Sequence, residues 1–326
     1  MKITAYVVDE GRMASLVIPA PSEIPTRAIW IDVVEPTREE MDSLAAQLGF
    51  NLELDESGFE SELYGHVEVE GEQLTIVMQA DRVDGSGDEA YAMSVVVMNA
   101  DKLITLRSGP LPAIDAAARS AVGMQANADP QVQLMLQILS EAMDIRSRAL
   151  DAAEVEVHRG ARTLFSTTRS KRAEVDLENL LSDLGRLQAQ MVSLRYRHGL
   201  ISRVVEVLRK HPVFSVGDEV REDIELAAGD VTSLSDFAGS VDEQLSRLMD
   251  STIGFIGLRQ NASARWFSIV ATVFMPPTLL AAVWGMNFEY MPELDERYSY
   301  GLAWLLMLLS ATIPLWIVRK MGWLSR

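Results

Sequence analysis

Two stretches without a charged residue, Trp266–Phe288 and Tyr298–Val318, sit close together near the C-terminal end of this chain. At about 1.5 Å of rise per residue, a helix over either stretch reaches across the roughly 30 Å hydrocarbon layer of a bilayer. Trp266, Trp284 and Tyr290 flank the first stretch, and Tyr298, Tyr300, Trp304 and Trp316 mark the second, as rings that favour the headgroup level do. Arg259 and Arg265 precede the first stretch, and Arg319, Lys320 and Arg326 follow the second. The connecting segment carries Glu289, Glu293, Asp295 and Glu296 against the single Arg297. The bias of basic residues places both chain ends in the cytoplasm and the loop outside. The alternative, a buried helical hairpin in a soluble domain, seldom offers two such long uncharged runs.

The remainder of the 326 residues is acidic: 29 Lys and Arg stand against 47 Asp and Glu, for a net charge of −18. Nucleic acid is therefore not an expected partner, since binding phosphates needs a basic face. The carboxylates suit either a solvated surface or hard divalent cations, which prefer oxygen ligands. The absence of Cys excludes disulfides and thiolate metal sites. Met1–Tyr6 has no signal-peptide pattern, so the large N-terminal part is expected in the cytosol. No Gly-rich phosphate loop and no catalytic constellation appear, and no organic cofactor or enzymatic activity is expected. His66, His158, His198 and His211 are scattered and read as surface or packing residues.

Residues 1–108 read as a mixed α/β domain. Runs rich in Val, Ile and Thr at 3–8, 14–18, 28–33, 73–79, 91–97 and 103–106 predict strands, and Asp84–Asp88 predicts a turn. Pro36-Thr37 followed by Glu39-Glu40 predicts a capped helix with Met41, Leu44, Ala45 and Leu48 as its apolar stripe. Past Pro110-Leu111-Pro112 the chain becomes helical over 109–217, with helices near 112–122, 130–164 and 172–210 and a turn at Ser166-Thr167-Thr168. A last helix starts near Asp218 and meets no proline before Pro276, which predicts one continuous helix on the order of 100 Å long, with 218–265 outside the bilayer. Leu234, Phe237, Val241, Leu245, Leu248, Ile253 and Ile256 give it a packing stripe, for an intramolecular bundle or a subunit interface. Pro276-Pro277 removes donors from carbonyls near Thr272 and Val273, which favours a segment facing protein or water on one side.

Trp284-Gly285-Met286-Asn287-Phe288, followed by Met291-Pro292-Glu293-Leu294, resembles the signature of the CorA magnesium transport proteins. Phe274-Met275-Pro276 and the tail Arg319-Lys320-Met321-Gly322-Trp323-Leu324 match as well, and the resemblance covers the whole layout. It implies an α+β cytosolic domain (a mixed α/β sandwich), a long stalk helix and two C-terminal transmembrane helices in a funnel-shaped homopentamer. The first span, 266–287, would line a central pore; 288–297 would be the external loop, 298–318 the second span and 319–326 a basic cytosolic tail. The implied location is a bacterial inner membrane. The implied function is potential-driven uptake of magnesium, with cobalt and nickel as surrogates. An oligomer also follows from geometry, because two helices of one chain cannot enclose a hydrophilic path.

In that reading Ala264, Phe267, Ala271, Met275, Thr278 and Ala282 recur at helical spacing along the pore face, with Gly285, Met286 and Asn287 as the filter. Small residues at this spacing also suit a plain helix–helix packing face. A ring of Asn287 amides can accept hydrogen bonds from the waters that magnesium gives up reluctantly, without holding the ion as a carboxylate would. Thr278 offers a second polar ring, and Met275 and Phe267 apolar constrictions. Gly285 suits a backbone turn at the helix end, as a simple C-cap also would. Glu289, Glu293, Asp295 and Glu296 would concentrate cations at the entrance. The family's cytosolic magnesium sensor would fall to Asp250, Asp223, Asp230, Asp55 and Glu56, although an ungapped count puts Leu226 at the sensing position and the usual Glu-Asp pair is not cleanly present. Two other readings remain: a zinc transporter of the sister family with this architecture, and a membrane-anchored sensor or interaction protein without ion flux.

Overall fold

The computed structural model describes residues 1–51, 65–82, 90–126, 129–167, 173–214, 216–286 and 298–320. Seven strands form one sheet: β1 (Lys2–Asp9), β2 (Arg12–Ile18), β3 (Ala28–Val34), β4 (His66–Glu70), β5 (Gln73–Arg82), β6 (Ala90–Met98) and β7 (Leu103–Arg107). Their spatial order is β2-β1-β3-β7-β6-β5-β4, and only β3–β7 pairs in parallel. The described residues also form six α-helices: α1 (Arg38–Leu48), α2 (Pro112–Ala121), α3 (Pro130–Thr167), α4 (Ala173–Lys210), α5 (Asp218–Trp284) and α6 (Ser299–Lys320). The α/β character and the six sequence-predicted strands are present. The strand β4 was not foreseen, and Ser166 and Thr167 continue α3 rather than turning.

Strand alternation divides the apolar residues between the two faces of the sheet. Ile31, Val33, Val95, Val97, Ile104 and Leu106 face α1, where Met41 and Leu44 complete a core. Trp30, Leu74, Ile76, Val96, Met98 and Leu103 face the other way, toward a larger core with α2, α3, α4 and the first part of α5. Helices thus cover both faces, which explains the nearly continuous apolar run of β7, buried at all five positions. The helix α1 starts where the sequence predicts. Thr37 Oγ1 accepts from the Glu40 amide at 3.3 Å while Glu40 Oε2 accepts from the Thr37 amide at 2.7 Å, a reciprocal cap. Gly49 ends it with φ 72°, a left-handed conformation that suits glycine.

The chain divides into two compact units, one comprising 1–163 with 182–248, the other 164–181 with 249–326. In the first, Val220, Ile224, Val231, Ala238, Val241 and Leu245 are the buried stripe of α5, and Leu245 and Val241 are fully covered. The stripe read from sequence overlaps this one at Val241 and Leu245 and continues to the buried Leu248, while Leu234 and Phe237 are half-buried and Ile253 is exposed. In the second unit, Phe165 and Phe255 meet edge to face at 6.4 Å, and the C-terminal part of α5 and all of α6 form two apolar helices.

Candidate functional site

Both α5 and α6 are long and apolar enough to cross a membrane. Within their unit each helix has one covered stripe. On α5 it comprises Ile269, which is buried, and the half-buried Val273, Pro276, Pro277, Leu280 and Trp284. On α6 it comprises Ala303, Met307, Ser310, Ala311 and Pro314, ending at the buried Val318. At about 100° per residue, the α5 stripe lies opposite the line Ala264, Phe267, Ala271, Met275, Thr278 and Ala282. All six of those residues are exposed, Phe267 at 77% and Met275 at 68%. The face that the sequence assigns to a pore is therefore the face this chain does not cover by itself.

The geometry of this line follows from its residues. The two prolines occupy the covered stripe, so the break in hydrogen bonding they impose falls opposite the exposed line. Thr278 Oγ1 donates to the Phe274 carbonyl at 2.7 Å, one turn back, which fixes its hydroxyl against the backbone. The oxygen keeps its acceptor capacity for a water. At the helix end, the Gly285 amide bonds the Ala281 carbonyl at 2.9 Å and the Met286 amide bonds Val283 at 3.3 Å. Gly285 does not adopt a left-handed backbone. A Cβ there would lie 3.1 Å from the Ala281 carbonyl oxygen, a close contact that asks the neighbour to give by a few tenths of an ångström.

Asn287, the acidic residues Glu289, Glu293, Asp295 and Glu296, and the pair Asp55 and Glu56 lie outside the described residues. Asp223 and Asp230 are exposed on α5, two turns apart on one side, and Asp250 is exposed further along the same helix. Among the described residues, no group of three acidic or histidine side chains is placed to hold a metal ion. Among the described residues, Asp223, Asp230 and Asp250 are not gathered into such a group.

The buried polar chemistry lies elsewhere, on the sheet face toward α2. Arg107 donates twice to Asp32, from Nε at 3.1 Å and Nη2 at 2.8 Å, and once to Asp115 on α2 at 2.7 Å. Burial lowers the Arg107 pKa, but the two carboxylates outweigh it and hold the guanidinium charged. Tyr6 stacks on Trp30 at 4.3 Å, and burial, helped by the charge of Asp32, pushes its hydroxyl up to about 12. His198, read from sequence as a packing residue, is buried on α4 against the Val231 carbonyl of α5 at 2.9 Å. Burial first, then Arg146, lowers its pKa despite that bond, so the ring stays neutral. Sequence reading missed the Asp32–Arg107 pair. Its signal was a lone carboxylate in the middle of the apolar run Ala28–Val34 and a lone arginine ending Leu103–Arg107.

A family model described as CorA-like Mg2+ transporter protein matches residues 26–320. A magnesium transport protein CorA of Pasteurella multocida is 26% identical over 99% of this chain and all of its own length. One of Haemophilus ducreyi is 27% identical over the same shares. Among solved structures, the complete CorA magnesium transporter of Methanocaldococcus jannaschii superposes with a TM-score of 0.72 at 21% identity, over 99% of both chains.

Proposed function

We propose a function from one premise: this chain belongs to the CorA-like Mg2+ transporter family. Its task is the passive entry of hydrated magnesium across a bacterial inner membrane. The exposed line Ala264, Phe267, Ala271, Met275, Thr278 and Ala282, opposite the covered stripe of α5, is the observation that carries this reading. A line of small and apolar residues with one hydroxyl, on a helix that a bilayer accommodates, needs copies of itself to close around water. A homopentamer with 266–287 as pore helix, 288–297 as external loop, 298–318 as second span and both termini in the cytoplasm fits that need. Residues 1–108, 109–217 and 218–265 then form the cytosolic sandwich, the helical region and the stalk.

Magnesium exchanges its waters reluctantly, so a pore of amides and hydroxyls that accept from those waters passes the ion without stripping it. Asn287 serves as the filter, with Gly285 and Met286 shaping its approach. Thr278 forms a deeper polar ring, and Met275 and Phe267 form constrictions that close by losing water. The acidic residues 289, 293, 295 and 296 raise the cation concentration at the mouth. No ATP is needed, because a doubly charged ion gains about 4.6 kcal/mol for each 100 mV of inside-negative potential. Asp223, Asp230 and Asp250, with Asp55 and Glu56, are candidates for sensing internal magnesium across neighbouring subunits.

The test is entry of magnesium, cobalt, nickel and zinc into proteoliposomes, with and without an inside-negative potential. Wild type should admit magnesium markedly faster when the potential is applied, and Asn287→Ala should lose selectivity or flux by about tenfold or more. Flux that ignores both the potential and Asn287 would end the pore reading; entry of zinc alone would move the chain to a zinc transporter.

A further inference from the structure

In the second compact unit the end of α3 lies beside α5 shortly before the first span, where Phe165 meets Phe255 edge to face at 6.4 Å. Phe255 stands about 16 Å along the helix axis before Trp266. Leu258, one turn nearer the span on the same side of α5, stands about 12 Å before it. Phe165 is 66% exposed and Leu258 67%. Arginines border both side chains. Arg259 follows Leu258, and Arg162 lies one turn before Phe165, exposed and without an ion pair among the described residues. Arg159, a further turn back, is paired to Glu156. In a chain of net charge −18, Arg159–Arg172 holds five basic residues and no acid, and Ser251–Arg265 two and no acid; acids resume at Glu174. The headgroup layer adds roughly 5–8 Å to each side of the hydrocarbon, so Leu258 lies close beneath it. Surface charge is felt over about a further 8 Å at physiological salt.

We propose that Phe165, Leu258, Arg162 and Arg259 form a contact with the headgroups of anionic phospholipids on the cytoplasmic side. This rests on the reading that α5 enters the bilayer near residue 266. The apolar side chains press into the headgroup layer, and the arginines face its negative charge, the division of labour of an interfacial segment. Attraction to a charged surface acts at a distance and asks no free hydrogen-bond fork of Arg259. Zwitterionic lipid, with no net charge, does not hold the patch. The contact ties the end of α3 to the membrane beside the helix that carries the exposed line.

The chain contains no Cys, so one introduced by Ser166→Cys takes a nitroxide label at a single exposed place next to Phe165. The full-length protein is placed in nanodiscs of phosphatidylcholine alone or with phosphatidylglycerol added. Collision of the label with an uncharged, water-soluble nickel chelate reads its exposure to water, and collision with oxygen its approach to lipid. Phosphatidylglycerol should lower the nickel collision several-fold and raise the oxygen collision. Arg162→Glu should lower the ratio of docked to undocked protein by about tenfold or more, since each charge at an anionic surface is worth about fivefold. Arg221→Glu, the same change at the exposed start of α5, should leave the lipid response intact. Salt at about 1 M, where charge is felt over only about 3 Å, should abolish the response, and Phe165→Ser should weaken it. A label at Leu308, midway along α6, should report hydrocarbon in both discs. Water at Leu308 would overturn the span reading and this proposal with it. Hydrocarbon at Leu308 with equal nickel collision at residue 166 in the two discs would overturn the proposal alone, with low collision in both marking a contact with protein instead. A lipid response that ignores both Arg162→Glu and salt would overturn it as well.

Discussion

Asp32 and Arg107 form a two-pronged ion pair across the parallel strands β3 and β7, at 3.1 and 2.8 Å, with both side chains buried. Thr105, opposite Asp32 in register, donates to the same carboxylate oxygen at 2.7 Å and accepts from the Trp30 indole at 3.0 Å. Arg107 reaches on to Asp115, so one guanidinium fastens the centre of the sheet to the first turn of α2. A buried carboxylate with this many donors is stable only while its cation stays in place.

Arg107→Met should therefore destabilise the protein by about 3–5 kcal/mol, because it leaves Asp32 charged and unpaired in the core. Adding Asp32→Leu should recover much of that loss, since an apolar pair of similar volume needs no compensation. Thermal unfolding in detergent, followed by tryptophan fluorescence, measures both. Equal losses in the single and double variants would show that packing, not charge, is what Arg107 supplies.

His198 sets an acid limit. Its Nε2–H serves the Val231 carbonyl, and Nδ1 is buried with no hydrogen-bond partner among the described residues. Protonation adds an N–H with no acceptor, close to Arg146. Since the folded pKa lies below the ordinary value near 6.5, the unfolded chain takes up the proton first. Stability from this group is complete above about pH 6.5 and declines as pH falls below it. Melting temperatures between about pH 5 and pH 7.5 should slope in wild type and lie flatter in His198→Gln.

Tyr6 sets an alkaline limit by the opposite sign. Its folded pKa of about 12 exceeds the ordinary 10, so the unfolded chain ionises first. The contribution is complete below about pH 10 and is lost as pH rises toward 12, by no more than about 3 kcal/mol. Tyr6→Phe should shift the loss to higher pH, as absorbance at the tyrosinate band and unfolding in the same samples would reveal.

Met275→Ser replaces an exposed apolar side chain on the proposed pore line with a hydroxyl. If that line borders water, the constriction wets more readily, and potential-driven magnesium entry into proteoliposomes should rise several-fold. Val283→Ser, also exposed but about 80° or more around the helix from every residue of that line, should leave entry near wild type. Equal effects at both positions would place Met275 against lipid.

Local chemistry made much of this protein readable. Uncharged length marks the two spans, and hydropathic period with the lack of proline marks α5 from Asp218 onward, because both depend only on neighbours along the chain. Thr37 and Glu40 announce the start of α1 for the same reason. Tertiary structure alone decided the rest. His66–Glu70 alternates charge with valine and becomes β4 only by pairing with β5. Asp32 and Arg107, 75 residues apart, meet because β3 and β7 lie side by side in parallel, and no local pattern encodes which strands become neighbours.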